Sequence, residues 1–377
     1  MNRRQFIQGA SLAGLASLAG EPLQAGDSLT LPFENRERPL VKYPQKRPLM
    51  RLTTRPPQLE TPFSVFNESV ITLNDAFFVR YHLMVMPPSN IDLATFRIQV
   101  KGKVNQPLAL SIPRLKSDFE PVEVVAVNQC SGNSRGFFKP RVPGGQYGHG
   151  AMGNARWTGA RLKDVLNKAG LAQGARQVVI NGLDGPLLPQ TPDFIKALDL
   201  DHVLEGEVLL AYGMNGEDLP WLNGFPVKLV VPGYYGTYWV KHVSEITVID
   251  DVLGSFWMTP AYRIPDNPGA CVEPGTKPDK TVPIKRYNVR SFITSLADGA
   301  QVKAGQTTVV RGIAFDGGHG IQDVIFSEDG GRNWREAKLG KDFGKYSFRE
   351  WTIPFTPRKA GNYELKAKAT NLIGQSP

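Results

Sequence analysis

Cysteine is nearly absent from this chain. Its 377 residues include two cysteines, Cys130 and Cys271. That scarcity excludes a C-x-x-C-H haem attachment, a four-cysteine iron–sulfur set and zinc-finger spacing. Histidine is scarce too. Of five residues, His202, His242 and His319 lack the partner spacing of a metal site and read as structural or solvated. No run of basic residues marks a nucleic-acid arm, so the net charge of +9 argues for small anionic partners and against nucleic acid. Beyond the N-terminus no segment is long and apolar enough to span a membrane.

Glycine and proline are plentiful, at 38 and 30 residues, which suits short strands and many loops rather than a helical bundle. The N-terminus, "MNRRQFIQGASLAGLASLAGEPLQAG", sets Arg3-Arg4 and Phe6 before a weakly apolar run of Gly and Ala. Residues 1–25 read as a twin-arginine signal peptide, with an ordinary secretory signal or a short anchor as alternatives. The expected location is the periplasm, reached by folded export, and folding before export suits a large cofactor inserted in the cytoplasm. In an oxidising compartment Cys130 and Cys271 could pair; otherwise Cys271, in a Pro-rich loop, reads as inert.

Residues 26–75 are rich in Pro and Arg and read as an extended arm lying over a domain. From 76 to 264 strand patterns such as "DAFFVRYHLMVM" and "VEVVAVNQ" mix with two helical ones. In "TGARLKDVLNKAG", Leu162, Val165, Leu166 and Ala169 share a face, with Thr158 as N-cap and Gly170 as stop. In "TPDFIKALDL", Thr191 caps and Pro192 takes the first helical position. Without a regular βαβ rhythm the class is α+β. Residues 265–285 form a Pro-rich linker. Residues 286–377 are all-β, with Asp329-Gly330-Gly331 as a turn, and read as an immunoglobulin-like sandwich with Trp334 and Trp351 in its core. The pattern stops at "NLIGQSP" with no closing element, which reads as a truncated C-terminus.

"GHGAMG", Gly148 to Gly153, matches G-x-G-x-x-G, but it follows a loop and the helical pattern begins too late to seat a pyrophosphate. The stretch "VVAVNQCSGNSRGFF" is more informative. A strand-like run ends in a Gly-rich loop holding Cys130, with Arg135 close by. A thiolate is a soft metal ligand, and glycines let backbone approach something bulky. A buried structural cysteine is the rival reading, and these residues alone do not separate the two.

Five stretches in order carry a resemblance: "FFVRYHL" (77–83), "NQCSGNSRGFFKPRV" (128–142), "GAMGNARWTGARLKDVL" (150–166), "NGLDG" (181–185) and "NGFPVKLVVPGYYGTYWVKHVSEI" (223–246). Together they resemble the sulfite oxidase family of molybdenum enzymes, nearest to the bacterial periplasmic sulfite dehydrogenases, over about residues 60–375. The resemblance makes 76–264 a molybdopterin-binding catalytic domain and 286–377 a dimerisation domain. It implies that Cys130 binds molybdenum beside a pyranopterin dithiolene. Arg80, Arg135 and Tyr262 would face substrate, and His82, Asp184, Asn223, Lys228 and Lys241 would contact the pterin. The implied reaction takes sulfite and water to sulfate, with electrons passing to a cytochrome c. Family members with a fused haem domain differ from this chain, which would need an external acceptor or a haem subunit. A homodimer or heterodimer is expected by analogy. Animal members have His and Arg where Asn223 and Lys228 stand. Tyr147 falls where a Trp often lines the pocket, and His149 is a candidate to support the site from behind. Alternatives are a related molybdenum enzyme acting on sulfane sulfur or a sulfoxide, and a periplasmic binding protein without catalysis.

Overall fold

The computed structural model describes residues 23–377 except Asn35, Val85, Met86, Ser89, Asn90, Leu187, Pro268 and Gly269. The expected signal peptide falls, up to Pro22, outside the described residues.

Val122–Gln129 begins half-exposed and ends fully buried, as a strand entering a core must. It pairs antiparallel with Met152–Arg161 along its whole length, from Val122 opposite Gly159 to Gln129 opposite Met152. The Cys130 loop is therefore the long connection between two adjacent central strands. Leu209–Met214 flanks Met152–Arg161, and both Glu217–Asp218 and Lys228–Val230 pair with Leu209–Met214. A second sheet orders Lys196–Asp199, Gln177–Gly182, Val243–Ile249, Ile98–Gly102 and Leu108–Leu110. Within it Val243–Ile249 runs parallel to Ile98–Gly102. One apolar cluster around fully buried Trp157 draws on both sheets.

The helix Leu162–Ala169 buries the four expected residues and ends at Gly170, whose φ of +67° favours glycine. Its N-cap is Arg161, without a side-chain cap bond. The expected cap Thr158 lies in the preceding strand, opposite Glu123. The second expected helix does not form at 191–200. Lys196–Asp199 is a strand paired with Gln177–Ile180, and helix appears only at Leu200–Leu204. Lys196, Ala197 and Leu198 are all buried, so their backbone groups need partners that the sheet supplies. Among the described residues helices are few and short, and the N-terminal unit is largely β rather than an even α+β mixture.

Two connecting segments are more ordered than expected. Residues 26–75 are not an extended arm. They supply Ser28–Thr30, Glu37–Val41, Leu49–Thr53 and Gln58–Glu60 to a five-stranded meander that ends on Val79–Arg80. The Pro-rich linker closes on itself, because Arg263–Pro265 pairs with Thr281–Pro283. Cys271 lies exposed between those strands, Cys130 is half-buried, and both are free thiols.

The C-terminal unit has two sheets. One orders Arg290–Ile293, Thr308–Phe315, Arg349–Phe355 and Lys338–Leu339; the other orders Arg335–Glu336, Ile321–Ser327 and Lys366–Asn371. Trp351 is fully buried, whereas Trp334, expected in the core, is 38% exposed. The difference is one of element: Trp351 sits mid-strand, and Trp334 follows the turn at Gly330 and Gly331, both at positive φ. Phe66, Val127, Met152, Tyr287, Ile313, Phe315 and Phe348 form a shared cluster across the two units. Val127 N–H donates to the Tyr346 carbonyl at 2.9 Å across the same boundary.

Candidate active site

Where Val122–Gln129 ends, the chain turns sharply. Gly132 N–H donates to Cys130 Sγ at 3.4 Å, which holds the sulfur at the start of the loop. Cys130 N–H is tied to the Ala151 carbonyl at 2.9 Å, which fixes the loop across its own base. The thiol opens into a cavity walled by Phe77, Phe78, Tyr81 and Trp239.

Eight of the nine residues expected at the site line that cavity: Cys130, Arg80, Tyr262, His82, Asp184, Asn223, Lys228 and Lys241. They arrive from separate elements. Arg80 ends the meander, Lys228 lies on Lys228–Val230, and Asn223 closes a short 3-10 turn. The ninth, Arg135, is half-buried outside the lining. Its guanidinium packs over Gly132 and Gly144, where a β-carbon would collide with it. It is nevertheless near enough to Tyr262 to pull that phenol's pKa downward against burial.

Tyr262 is held in a left-handed backbone conformation, φ +57°, which a bulky residue adopts only when its surroundings impose it. The constraint aims its hydroxyl at two partners. Arg80 Nη2 donates to it at 3.4 Å, and the hydroxyl in turn meets His82 Nε2. Burial, with Arg80, Lys241 and Lys196 nearby, holds His82 well below the usual imidazole pKa, so the ring is neutral and can accept. Cys130 lies close enough to raise the Arg80 pKa. Two further guanidinium atoms, Nε and Nη1 of Arg80, are buried and have no partner among the described residues.

Two lysines of the lining, Lys228 and Lys241, are desolvated. Lys228 is fully buried, with Nζ 4.7 Å from the centre of the Trp157 ring system and 5.4 Å from that of Trp239. Burial pushes its pKa well down, and Lys241 and Lys46 push it further. Burial likewise lowers Lys241 and raises Asp184, while their mutual attraction opposes both shifts. Asn223 is locked in orientation: its Oδ1 accepts from Lys46 Nζ, and its Nδ2 donates to the Phe78 carbonyl at 3.1 Å.

Sequence reasoning missed several participants. Lys46 comes from the meander and carries no local signal, since its three acceptors, Asn74 O, Phe77 O and Asn223 Oδ1, are far along the chain. Lys196 was legible in principle as a lysine amid apolar "FIKALDL"; its Nζ is 5.1 Å from the centre of the Tyr262 ring. Phe194, from the same segment, stacks on His82 at 3.8 Å between ring centres. Tyr147 and His149 were singled out in the sequence, and neither lines the cavity: Tyr147 is buried with its hydroxyl donating to Gln58 Oε1 at 2.9 Å, and His149 meets Ser134 Oγ at 2.7 Å. His242, set aside as structural, is buried with Nδ1 facing the Phe225 carbonyl and Nε2 receiving the Tyr81 hydroxyl at 2.7 Å.

A buried, cation-rich cavity with one thiol, on a β-rich unit followed by a two-sheet unit, suits a bulky anionic cofactor attached through sulfur. Residues 84–257 match the oxidoreductase molybdopterin binding domain, and 281–358 match the Mo-co oxidoreductase dimerisation domain. That defines the class as a molybdenum oxidoreductase. The sulfite oxidase of Gallus gallus is 35% identical over 347 residues, covering 88% of this chain and 74% of that one. Mitochondrial sulfite oxidase of Homo sapiens is 34% identical over 342 residues, 87% of this chain, and the match spans 61% of its length. The fold is similar to that in the crystal structure of the sulfane dehydrogenase SoxCD from Paracoccus pantotrophus. The TM-score is 0.73 with 22% identity, over 95% of this chain and 83% of that one. The chain belongs to the sulfite oxidase family of molybdenum enzymes.

Membership implies a molybdenum–pterin cofactor, and the residues present fit one. Among the described residues, buried atoms of three lining residues have no partner: Arg80 Nε and Nη1, Asp184 Oδ1 and Asn128 Oδ1. Such groups are costly unless a ligand pairs with them.

Proposed function

We propose that this chain oxidises sulfite to sulfate in the periplasm and passes the electrons to a cytochrome c. The observation that carries it is the Arg80 guanidinium, whose buried, unpartnered Nε and Nη1 lie beside Cys130 and the Tyr262 hydroxyl. A small oxyanion would receive charge-assisted bonds there from a group that cannot lose its charge. Cys130 would bind the metal, while Lys228, Lys241, Asn223, Asp184 and His82 would hold the pterin and its phosphate. When bound, the molybdenum centre supplies the oxygen-transfer and two-electron chemistry of sulfite plus water to sulfate, two protons and two electrons.

The chain's own residues bind and orient. Arg80 holds the anion, and Arg135 adds positive charge from behind Gly132. The Tyr262 hydroxyl donates a hydrogen bond to neutral His82 Nε2, keeps its proton and turns its oxygen to Arg80, so the substrate meets a polar group without added charge. The twin-arginine pattern supports periplasmic export. The C-terminal match supports pairing with a second copy or with a haem-bearing subunit, and the two antiparallel sheets support an immunoglobulin-like reading of that unit.

The test is sulfite-dependent reduction of cytochrome c by protein from a host that makes the cofactor. We expect turnover that requires both sulfite and molybdenum. Cys130→Ser should abolish it while leaving the unfolding curve in place. Turnover on a sulfane-sulfur substrate but not on sulfite would transfer the reading to that substrate, and retained turnover in Cys130→Ser would remove the thiol from the metal.

A further inference from the structure

We infer that Arg290, a residue of the C-terminal unit, positions the Cys130 loop of the N-terminal unit. Arg290 opens the strand Arg290–Ile293. Its Nη1 donates to Gln129 Oε1 at 3.2 Å, and its Nη2 donates to Ser134 Oγ at 2.7 Å. Those two acceptors bracket Cys130: Gln129 is the last residue of the incoming strand, and Ser134 is the residue before Arg135. One planar guanidinium therefore closes the loop that carries both the thiol and Arg135.

The loop needs such a clamp. Ser134 has φ +71°, a left-handed conformation that a residue with a β-carbon keeps only where neighbours hold it. Ser134 N–H donates to the Gly148 carbonyl at 2.6 Å. Its hydroxyl accepts from Arg290 and donates to His149 Nδ1 at 2.7 Å. On the other side Asn133 Nδ2 reaches Gln129 Oε1 at 3.4 Å, and Asn133 Oδ1 accepts from Ala151 N–H at 3.0 Å. Remove the guanidinium and Gln129 and Ser134 each lose a charge-assisted bond, while Ser134 keeps its unfavourable backbone angle.

Arg290 is itself unusual. Among the described residues no carboxylate forms an ion pair with it. Its guanidinium carbon lies 4.7 Å from the centre of the Phe292 ring. A desolvated charge without a carboxylate is poorly compensated. Its position is explained if its work is to hold the loop through Gln129 and Ser134. The C-terminal unit thereby takes part in shaping the site.

The functional importance of the clamp rests on Cys130 being the metal ligand, but its test does not. Amide hydrogen exchange is measured on the purified full chain, on Arg290→Met and on Arg290→Lys. In Arg290→Met the amides of Asn133, Ser134 and Gly136 should exchange faster by about tenfold or more, while those of Thr308–Phe315 keep wild-type protection. Arg290→Lys should recover part of the protection, since an ammonium restores charge but not the two-pronged geometry. Unchanged loop exchange overturns the inference. So does faster exchange spread equally over Thr308–Phe315, which would make Arg290 a general support of the fold. Failure of sulfite turnover alone would leave these exchange results untouched.

Discussion

Glu60 shows how a single side chain joins the N-terminal meander to the loop behind the site. It is fully buried and accepts from Gly148 N–H at 3.1 Å and Gly150 N–H at 2.8 Å. Burial nonetheless outweighs those bonds and the nearby Arg38, raising its pKa to about 7. A carboxyl raised in the folded state contributes stability that is fully present below its unfolded value of 4.5. That contribution is lost as pH rises to about 7, a change of about 3 kcal/mol. Glu60→Gln cannot titrate, and its amide leaves one of the two N–H groups facing a donor. The variant should therefore be less stable than wild type at pH 4.5, and the gap should shrink steadily up to pH 7. Urea unfolding of both proteins at matched pH values checks this, and a gap independent of pH would return Glu60 to an ordinary carboxylate. Neither Glu60 nor Lys46 was legible in the sequence, because the partners of each lie far away along the chain. Cys130, Arg80 and Lys228 were legible because each sits inside a recognisable stretch.

At the scale of elements, the central strands were readable and the exceptions share one cause. Val122–Gln129 and Leu162–Ala169 announce themselves through periods of two and 3.6. The segment "TPDFIKALDL" does not, since a helical cap signal and a buried strand compete there and sheet pairing decides. Trp334 and Trp351 were likewise indistinguishable by pattern, yet the fold separates them sharply. Trp351 pairs across the sheet with Gly312, and a β-carbon at Gly312 would run into its indole. Gly312, a glycine inside an apolar strand, was the available signal of a close approach. Trp351→Ala should cost about 3–5 kcal/mol through the cavity it leaves, whereas Trp334→Ala should stay within about 1 kcal/mol. Chemical denaturation of the two variants beside wild type measures both. Equal losses would mean that Trp334 is covered in solution.

The whole molecule is organised around a group of buried lysines, and its stability should report whether the cofactor is present. The composition shift near residue 264 marked two units, but not that they share a core or that the meander enters the site. Burial lowers Lys46 and Lys196 to about 7 and drives Lys228 further down, all from an ordinary 10.5. A lysine depressed in the folded state contributes stability that is complete above 10.5 and lost as pH falls toward its folded value. Glu60 and Asp184 act in the opposite sense, but their window closes near pH 7. Tyr81 and Tyr147 are raised well above 10, so their penalty begins later. Between pH 7 and 9 the lysines therefore dominate, and cofactor-free protein should become more stable as pH rises. An anionic pterin beside Lys228 and Lys241 supplies the missing negative charge, so the loaded protein should unfold at a higher temperature at pH 7 and gain less on going to pH 9. Because Phe66, Val127, Met152, Phe315 and Phe348 bind the units into one cluster, each preparation should melt in a single transition, so the two midpoints can be compared directly. Scanning calorimetry of loaded and cofactor-free protein at both pH values makes the comparison. Parallel shifts would separate the lysines from the cofactor, and a flatter response in the loaded protein would assign the buried charge to holding it.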